Sequence, residues 1–240
     1  MRPQDFTLDG FLGGRLQIAQ PKKGFRAGHD SVLLAAAVAA EAGSRVLELG
    51  AGAGVASLCL AARVPDIELL GIEIDTALVA LANANAARNG MASRVRFESG
   101  DATNPPGAEL HDHVFLNPPF YPPTGQPSPN PARARAMRDS ENALSQWMRA
   151  ALAQAKPGGT VTAIMGAERA QEMLSVNTGA VLFPLFPRYG QPAKRVIVHM
   201  VKGSGAPFRV AAGLILHEPD GRNTEAAEAV LRGGCALRLI

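Results

Sequence analysis

The run Arg45-Val46-Leu47-Glu48-Leu49, followed by Gly50-Ala51-Gly52-Ala53-Gly54 and then Val55-Ala56, constrains this chain more than any other stretch. A short apolar strand that empties into closely spaced glycines and then an Ala-rich helix predicts one strand-turn-helix unit of a parallel α/β sheet. Glycine permits the sharp turn and lets a ligand approach the main chain, while the helix N-terminus offers unpaired N–H groups. The spacing is Gly-x-Gly-x-Gly. A dinucleotide fingerprint needs Gly-x-Gly-x-x-Gly, and where its third glycine would fall this chain has Val55. The turn therefore reads as a nucleoside site, with an NAD-dependent oxidoreductase as the disfavoured alternative.

Three further segments extend the pattern. The strand Glu68-Leu69-Leu70-Gly71-Ile72-Glu73-Ile74-Asp75 ends in acids, about 20 residues after the glycines, where a carboxylate such as Glu73 accepts from both ribose hydroxyls. Arg94 to Ala102 is a short strand ending in Gly100-Asp101; Asp101 either accepts from an adenine amine or is a solvated turn acid. Asn117-Pro118-Pro119-Phe120 follows a fourth strand. An amine on a base is a poor nucleophile because its lone pair is delocalised into the ring. Two acceptors on its hydrogens, the Asn117 side chain and the Pro118 carbonyl, return that pair to nitrogen. The paired prolines make the loop rigid, and Phe120 offers a stacking face, with Tyr121 a weaker one. Each segment sits at the C-terminal end of a predicted strand, the edge where open parallel sheets bind ligands.

Composition sets the limits. A chain of 240 residues, 47% hydrophobic, suits one well-cored α/β domain over 1–240, with an N-terminal segment (1–44), a core sheet (45–202) and a C-terminal addition (203–240). The two cysteines, Cys59 and Cys235, and the lack of Cys/His metal spacing point to a reduced, cytoplasmic protein with no structural metal, and Cys59 is expected on the buried face of its helix. The longest apolar run, Val32 to Ala40, is too short to span a bilayer, and Asp5 and Asp9 stand where an export signal would be basic, so no membrane role is indicated. The net charge of +3 says little about partners. Location says more: a Pro-rich stretch from Tyr121 to Pro131 is followed by Arg133, Arg135 and Arg138 before the next acid, Asp139. These arginines read as a phosphate-binding mouth, or else as solvated surface.

Helices are expected at Ser31 to Ala42, capped by Asp30 or Ser31, near Val55, from Thr76 to Asn89, and from Ser140 to Lys156, the last closed by Pro157-Gly158-Gly159 before a strand from Thr160 to Met165. Strands around Val181, Val196 and Leu214 and a helix from Thr224 to Arg232 complete the reading. Trp147 and Met148 read as core, and His111, His113 and His199 as surface or satisfied strand residues.

With these residues in place the chain resembles, over most of its length, the class I S-adenosylmethionine-dependent methyltransferases, in the branch with the Asn/Asp-Pro-Pro-aromatic motif. Gly24-Phe25-Arg26-Ala27-Gly28-His29-Asp30-Ser31 is similar to the N-terminal motif of the bacterial tRNA1(Val) adenine-37 N6-methyltransferases. Arg195-Val196-Ile197-Val198 and the stretch from Leu214 to Arg222 also match that family, which usually has Thr or a similar residue where His29 stands. The resemblance implies a Rossmann-like α/β fold whose central, mostly parallel, seven-stranded sheet carries helices on both faces, plus a small C-terminal addition. It implies S-adenosyl-L-methionine as cofactor, held by Arg26, Asp30, Glu48, Gly50, Gly52, Gly54, Glu73, Asp101 and Asn117. Asn117, Pro118 and Phe120 are the catalytic positions it implies. Pro119, Tyr121, Arg133, Arg135 and Arg138 would meet an RNA substrate, a tRNA in that family's case. Methylation of a glutamine in a release factor, of guanine N2 in ribosomal RNA, and a non-catalytic RNA-binding module stay open as alternatives.

Overall fold

From Arg45 to Ser99 strands and helices alternate, as the glycine turn predicts. A computed structural model describes residues 5–107, 109–119, 143–174 and 179–239. The elements in chain order are β1 (Phe6–Phe11), β2 (Leu16–Pro21), α1 (His29–Ala37), β3 (Arg45–Leu49), α2 (Val55–Arg63), β4 (Glu68–Glu73), α3 (Thr76–Arg88), β5 (Val95–Ser99) and β6 (His111–Leu116). There follow α4 (Ala143–Gln154), β7 (Ala155–Gly166), a short helix α5 (Ala170–Leu174), β8 (Ala180–Phe186), β9 (Arg195–Val201), β10 (Arg209–Val210), β11 (Leu214–Ile215) and α6 (Glu225–Leu231).

The main sheet has the order β10-β8-β9-β7-β6-β3-β4-β5, with β11 also on β8. All its pairings are parallel except those of β9 with β7 and β8. The expected seven strands are the long ones, and the sheet is nine-stranded because β10 and β11 add two residues each along the edge of β8. A two-residue strand has no alternation to read, and Gly213, at φ +82°, breaks the chain between the two. One apolar cluster fills the sheet face covered by α1, α2, α3 and α6, and a second fills the face covered by α4. Cys59 lies in the first, on the buried face of α2.

Before Arg45, where the sequence suggests no strand, β1 and β2 form an antiparallel hairpin outside the main sheet. The side chain of Asn85, fully buried on α3, explains how the hairpin is held. Its Oδ1 accepts from Ala19 N at 2.9 Å while its Nδ2 donates to the carbonyls of Ala19 at 2.9 Å and Ala53 at 3.0 Å. Asn89 repeats the pairing on Gln17 N and O, each at 3.0 Å. Two amide side chains one helical turn apart thus take the place of a neighbouring strand for β2, and Asn85 joins the hairpin to the glycine turn.

Two helix expectations change. Helix α1 runs His29–Ala37 after Gly28, which has no side chain to cap it, and Asp30, inside the first turn, pairs with Arg195 at 2.9 Å. It stops at Val38, which is extended, and the Arg63 guanidinium donates to the carbonyls of Ala35 and Val38. Pro157-Gly158-Gly159 lies inside β7 as a bulge, the pairing with β6 jumping from His111↔Ala155 to His113↔Thr160. Helix α4 therefore passes straight into a strand, and the expected start of that helix at Ser140 falls outside the described residues.

Candidate active site

The turn after β3 is tied to the neighbouring strand: Gly50 N and Ala51 N both donate to the Ile72 carbonyl, at 2.8 and 3.0 Å. Gly50, Gly52 and Gly54 have φ of +74°, +56° and +84°, the left-handed region that favours glycine. They serve different ends. A Cβ on Gly50 would lie 2.8 Å from the Trp147 ring, and one on Gly54 would lie 2.7 Å from the Phe97 ring. Above Gly52 nothing stands within 4 Å. Gly50 and Gly54 are thus closely packed, and at Gly52 the main chain is open.

The end of β4 is ordered around the same turn. One Glu73 carboxylate oxygen accepts from Gly52 N at 2.9 Å and the other from Asp75 N at 3.0 Å, while Asp75 caps α3 by accepting from Ala77 N at 2.9 Å. Between these acids Ile74 is 57% exposed, an apolar face beside a fixed carboxylate. The sequence reading passed over it, although an apolar residue between two acids at a strand end was the available signal. At the end of β5, Asp101 Oδ1 accepts from the Thr103 backbone N–H at 2.8 Å and hydroxyl at 2.7 Å, which orients the carboxylate.

Asn117 follows β6, which pairs with β3, so the Asn-Pro-Pro loop leaves the same sheet edge as the glycine turn. Its side-chain Oδ1 is buried and, among the described residues, has no hydrogen-bond partner. Pro118 is buried and Pro119 half-buried. Phe120, Tyr121, Arg133, Arg135 and Arg138 lie outside the described residues.

Three positions expected at the cofactor have protein partners. Glu48 is buried, its carboxylate accepting from Ser57 N at 3.1 Å and from the Ser57 hydroxyl. It holds the first turn of α2 to β3 from beneath. Arg26 forms an ion pair with Asp9 at 2.6 Å and donates to Thr7 Oγ1 and the Pro21 carbonyl, fastening the segment before α1 to the hairpin. Asp30 pairs with Arg195. In each case the partner is brought in by tertiary folding.

Burial pushes the Glu48 carboxyl up to about 8, with the Ser57 hydrogen bonds opposing the shift. The folded protein therefore keeps a proton that the unfolded chain releases above pH 4.5 or so. The stabilisation tied to that proton is complete below the unfolded value and is lost as pH rises through about 8. Wild type should lose stability relative to Glu48→Gln between pH 5 and pH 8, by on the order of 1 kcal/mol per pH unit. Urea unfolding of both proteins at the two pH values measures this, and parallel pH dependences would show that Glu48 ionises normally.

Trp147 and Met148 divide. Met148 is fully buried, whereas Trp147 is half-buried with its ring against Gly50, so the indole is a wall of the glycine turn as well as part of the core. His113 Nδ1 and His199 Nδ1 bond the hydroxyls of Thr160 and Thr162, at 2.9 and 3.0 Å. Burial pushes His199 down to about 4. His111 is buried too. Among the described residues no group of three or more His, Cys, Asp or Glu is placed to hold a metal ion, and no helix is long and apolar enough to cross a membrane.

Residues 26–165, more than half of the chain, match the family model described as "Methyltransferase small domain". The chain belongs to the methyltransferase small domain family. Within it, the Aeromonas hydrophila protein named tRNA1(Val) (adenine(37)-N6)-methyltransferase is 29% identical over 223 residues, 88% of this chain and 91% of that one. A Porphyromonas gingivalis protein of the same name is 30% identical, covering 69% of this chain and 68% of its own length. Among solved structures, that of a predicted O-methyltransferase from Agrobacterium tumefaciens superposes with a TM-score of 0.72 at 25% identity, over 87% of this chain and 98% of that one. The small-domain match ends at Met165, near the end of β7, so β8, β9 and the C-terminal strands and helix lie beyond it.

Proposed function

We propose that this protein transfers a methyl group from S-adenosylmethionine to the N6 amine of an adenine in tRNA, with tRNA1(Val) adenine 37 as the target. The observation that carries the reading is the buried, unpartnered Oδ1 of Asn117 on a proline-stiffened loop beside the glycine turn. An acceptor left unsatisfied in this way costs roughly 1–3 kcal/mol, and an incoming amine would relieve that cost. The names of the relatives support the choice of base and RNA.

The residues present fit the cofactor. Gly52 leaves the main chain open, Glu73 is held ready for the ribose hydroxyls, Ile74 gives the adenine an apolar face, and Asp101 meets its amine. When bound, S-adenosylmethionine supplies a methyl group on an already activated sulfonium. The protein's part is then positioning. Asn117 Oδ1 and the Pro118 carbonyl each accept one hydrogen of the target amine, localising its lone pair and aiming it. Pro119 stiffens the loop, Phe120 stacks on the base with Tyr121 beside it, and Arg133, Arg135 and Arg138 meet the RNA backbone. Glu48, Arg26 and Asp30 act at one remove, by fixing α2 and the segment before α1. The chain works as one unit over 1–240, in the cytoplasm, where its substrate resides.

Incubation with labelled S-adenosylmethionine and tRNA lacking the modification, followed by nucleoside analysis, tests the reading. N6-methyladenosine is the expected product. Label in guanosine N2, or label recovered in protein when a release factor is supplied instead, would overturn it.

A further inference from the structure

The loop between β8 and β9 lies outside everything assigned so far. From Met173 to His217 the chain contains no Asp or Glu, yet it has Arg188, Lys194, Arg195, Lys202 and Arg209. Arg195 is paired with Asp30, and the Lys202 ammonium rests on the carbonyls of Ala153 and Ala155. Arg188 and Lys194 are exposed, and among the described residues neither forms an ion pair. Between them Tyr189 is 86% exposed, the highest value among the exposed large hydrophobic residues.

The tyrosine is held out rather than left loose. Gln191 N donates to the Arg188 carbonyl at 3.2 Å, closing a turn, and Gly190 takes the left-handed backbone at φ +72° that such a turn requires. His217 N donates to the Pro187 carbonyl at 3.0 Å and Lys194 N to the Leu185 carbonyl at 3.2 Å, fastening both ends. A side chain this exposed contributes little to the fold, so a stiff turn that presents it needs another explanation.

The register places this turn at the site's edge of the sheet. Strand β7 runs parallel to β6, whose end carries Asn117, and Gly166 at the end of β7 faces Arg195 at the start of β9. Strands β9 and β8 stand two and three places from β6, so the base of the loop lies roughly 10–15 Å along the sheet edge from the Asn-Pro-Pro loop. An exposed aromatic between two unpaired cations is the chemistry that holds single-stranded nucleic acid.

We propose that Tyr189 stacks on an unpaired base flanking the target, and that Arg188 and Lys194 meet the adjoining phosphates. The inference rests on the RNA substrate proposed above. It is tested by binding the unmodified anticodon stem-loop of tRNA1(Val) across a salt series to wild type, Tyr189→Ala, Tyr189→Phe, the double variant Arg188→Ala/Lys194→Ala, and Arg209→Ala. The last removes the same charge from the opposite edge of the sheet, since Arg209 pairs with Val181 at the start of β8.

Tyr189→Ala should weaken binding about 5- to 100-fold, with Tyr189→Phe close to wild type, because stacking needs the ring and not the hydroxyl. The double variant should flatten the slope of log K against log salt by about 0.7 per lost phosphate contact, and Arg209→Ala should leave the slope unchanged. KM for the RNA should rise while kcat at saturating RNA and affinity for S-adenosylmethionine stay as in wild type. If Tyr189→Ala binds like wild type, or Arg209→Ala matches the double variant, the assignment is wrong while the methyltransferase reading stands. A change of oligomeric state in Tyr189→Ala, read by sedimentation, would make the turn a contact between copies and overturn it as well. A wild type that binds no RNA at all would remove both readings.

Discussion

Asn117→Ala should lower the rate of methyl transfer by roughly 10²- to 10³-fold while leaving the affinity for S-adenosylmethionine nearly unchanged. Losing one preorganised polar group from the reacting centre has an effect of that order. The structure adds a second expectation, on stability. Because Oδ1 of Asn117 is buried without a partner, alanine removes an unsatisfied acceptor from the free protein. The variant should therefore be as stable as wild type or more so, by up to about 1 kcal/mol. Single-turnover methylation of the anticodon stem-loop and urea unfolding give the two quantities. A variant that lost activity together with several kcal/mol of stability would mark Asn117 as structural, and normal turnover would remove it from the site.

Glu73→Ala should weaken S-adenosylmethionine binding tenfold or more, since each charge-assisted hydrogen bond to a ribose hydroxyl contributes roughly 1.5–3 kcal/mol. The same carboxylate holds Gly52 N and Asp75 N, so its loss also frees the turn and the residue that caps α3. Glu73→Gln separates the two effects: one amide oxygen keeps a backbone bond, but the carboxylate pair for the ribose is gone. Calorimetry should rank wild type above Gln and Gln above Ala. Equal affinities in all three would take Glu73 out of the site, and tight binding of NAD by wild type would reinstate the dinucleotide reading.

The proposed division of labour separates residues that touch the reaction from residues that hold those in place. Glu48 fixes α2, Asn85 joins the hairpin to the glycine turn, and Arg26 and Asp30 fasten the chain on either side of Gly28. Glu48 and Asn85 are buried, and Arg26 and Asp30 are held in ion pairs. Their loss should alter cofactor affinity through loop order, which is why the Glu48→Gln comparison is read as a stability against pH and not as a rate.

Much of this protein was legible in the amino-acid order alone because its signals are local. Strands β3 and β4 are short, largely apolar runs, β5 alternates apolar with polar residues at its start, the glycine turn needs a left-handed backbone that only glycine adopts cheaply, and α3 carries its own start and stop in Asp75 and Gly90. The order of glycine turn, Glu73, Asp101 and Asn-Pro-Pro therefore marked one sheet edge in the sequence itself. Tertiary structure decided what depends on partners far along the chain. Asp30 and Arg195 are 165 residues apart, and Asn85 and Ala19 are 66 apart. No periodicity encodes such pairs, so the protein partners of Arg26, Asp30 and Glu48 could not be read locally, nor could the hairpin that Asn85 and Asn89 hold. The same applies to the three glycines, which look equivalent in sequence: Trp147 and Phe97 close over two of them and leave Gly52 open, because crossing strands and helices bring those rings in from elsewhere.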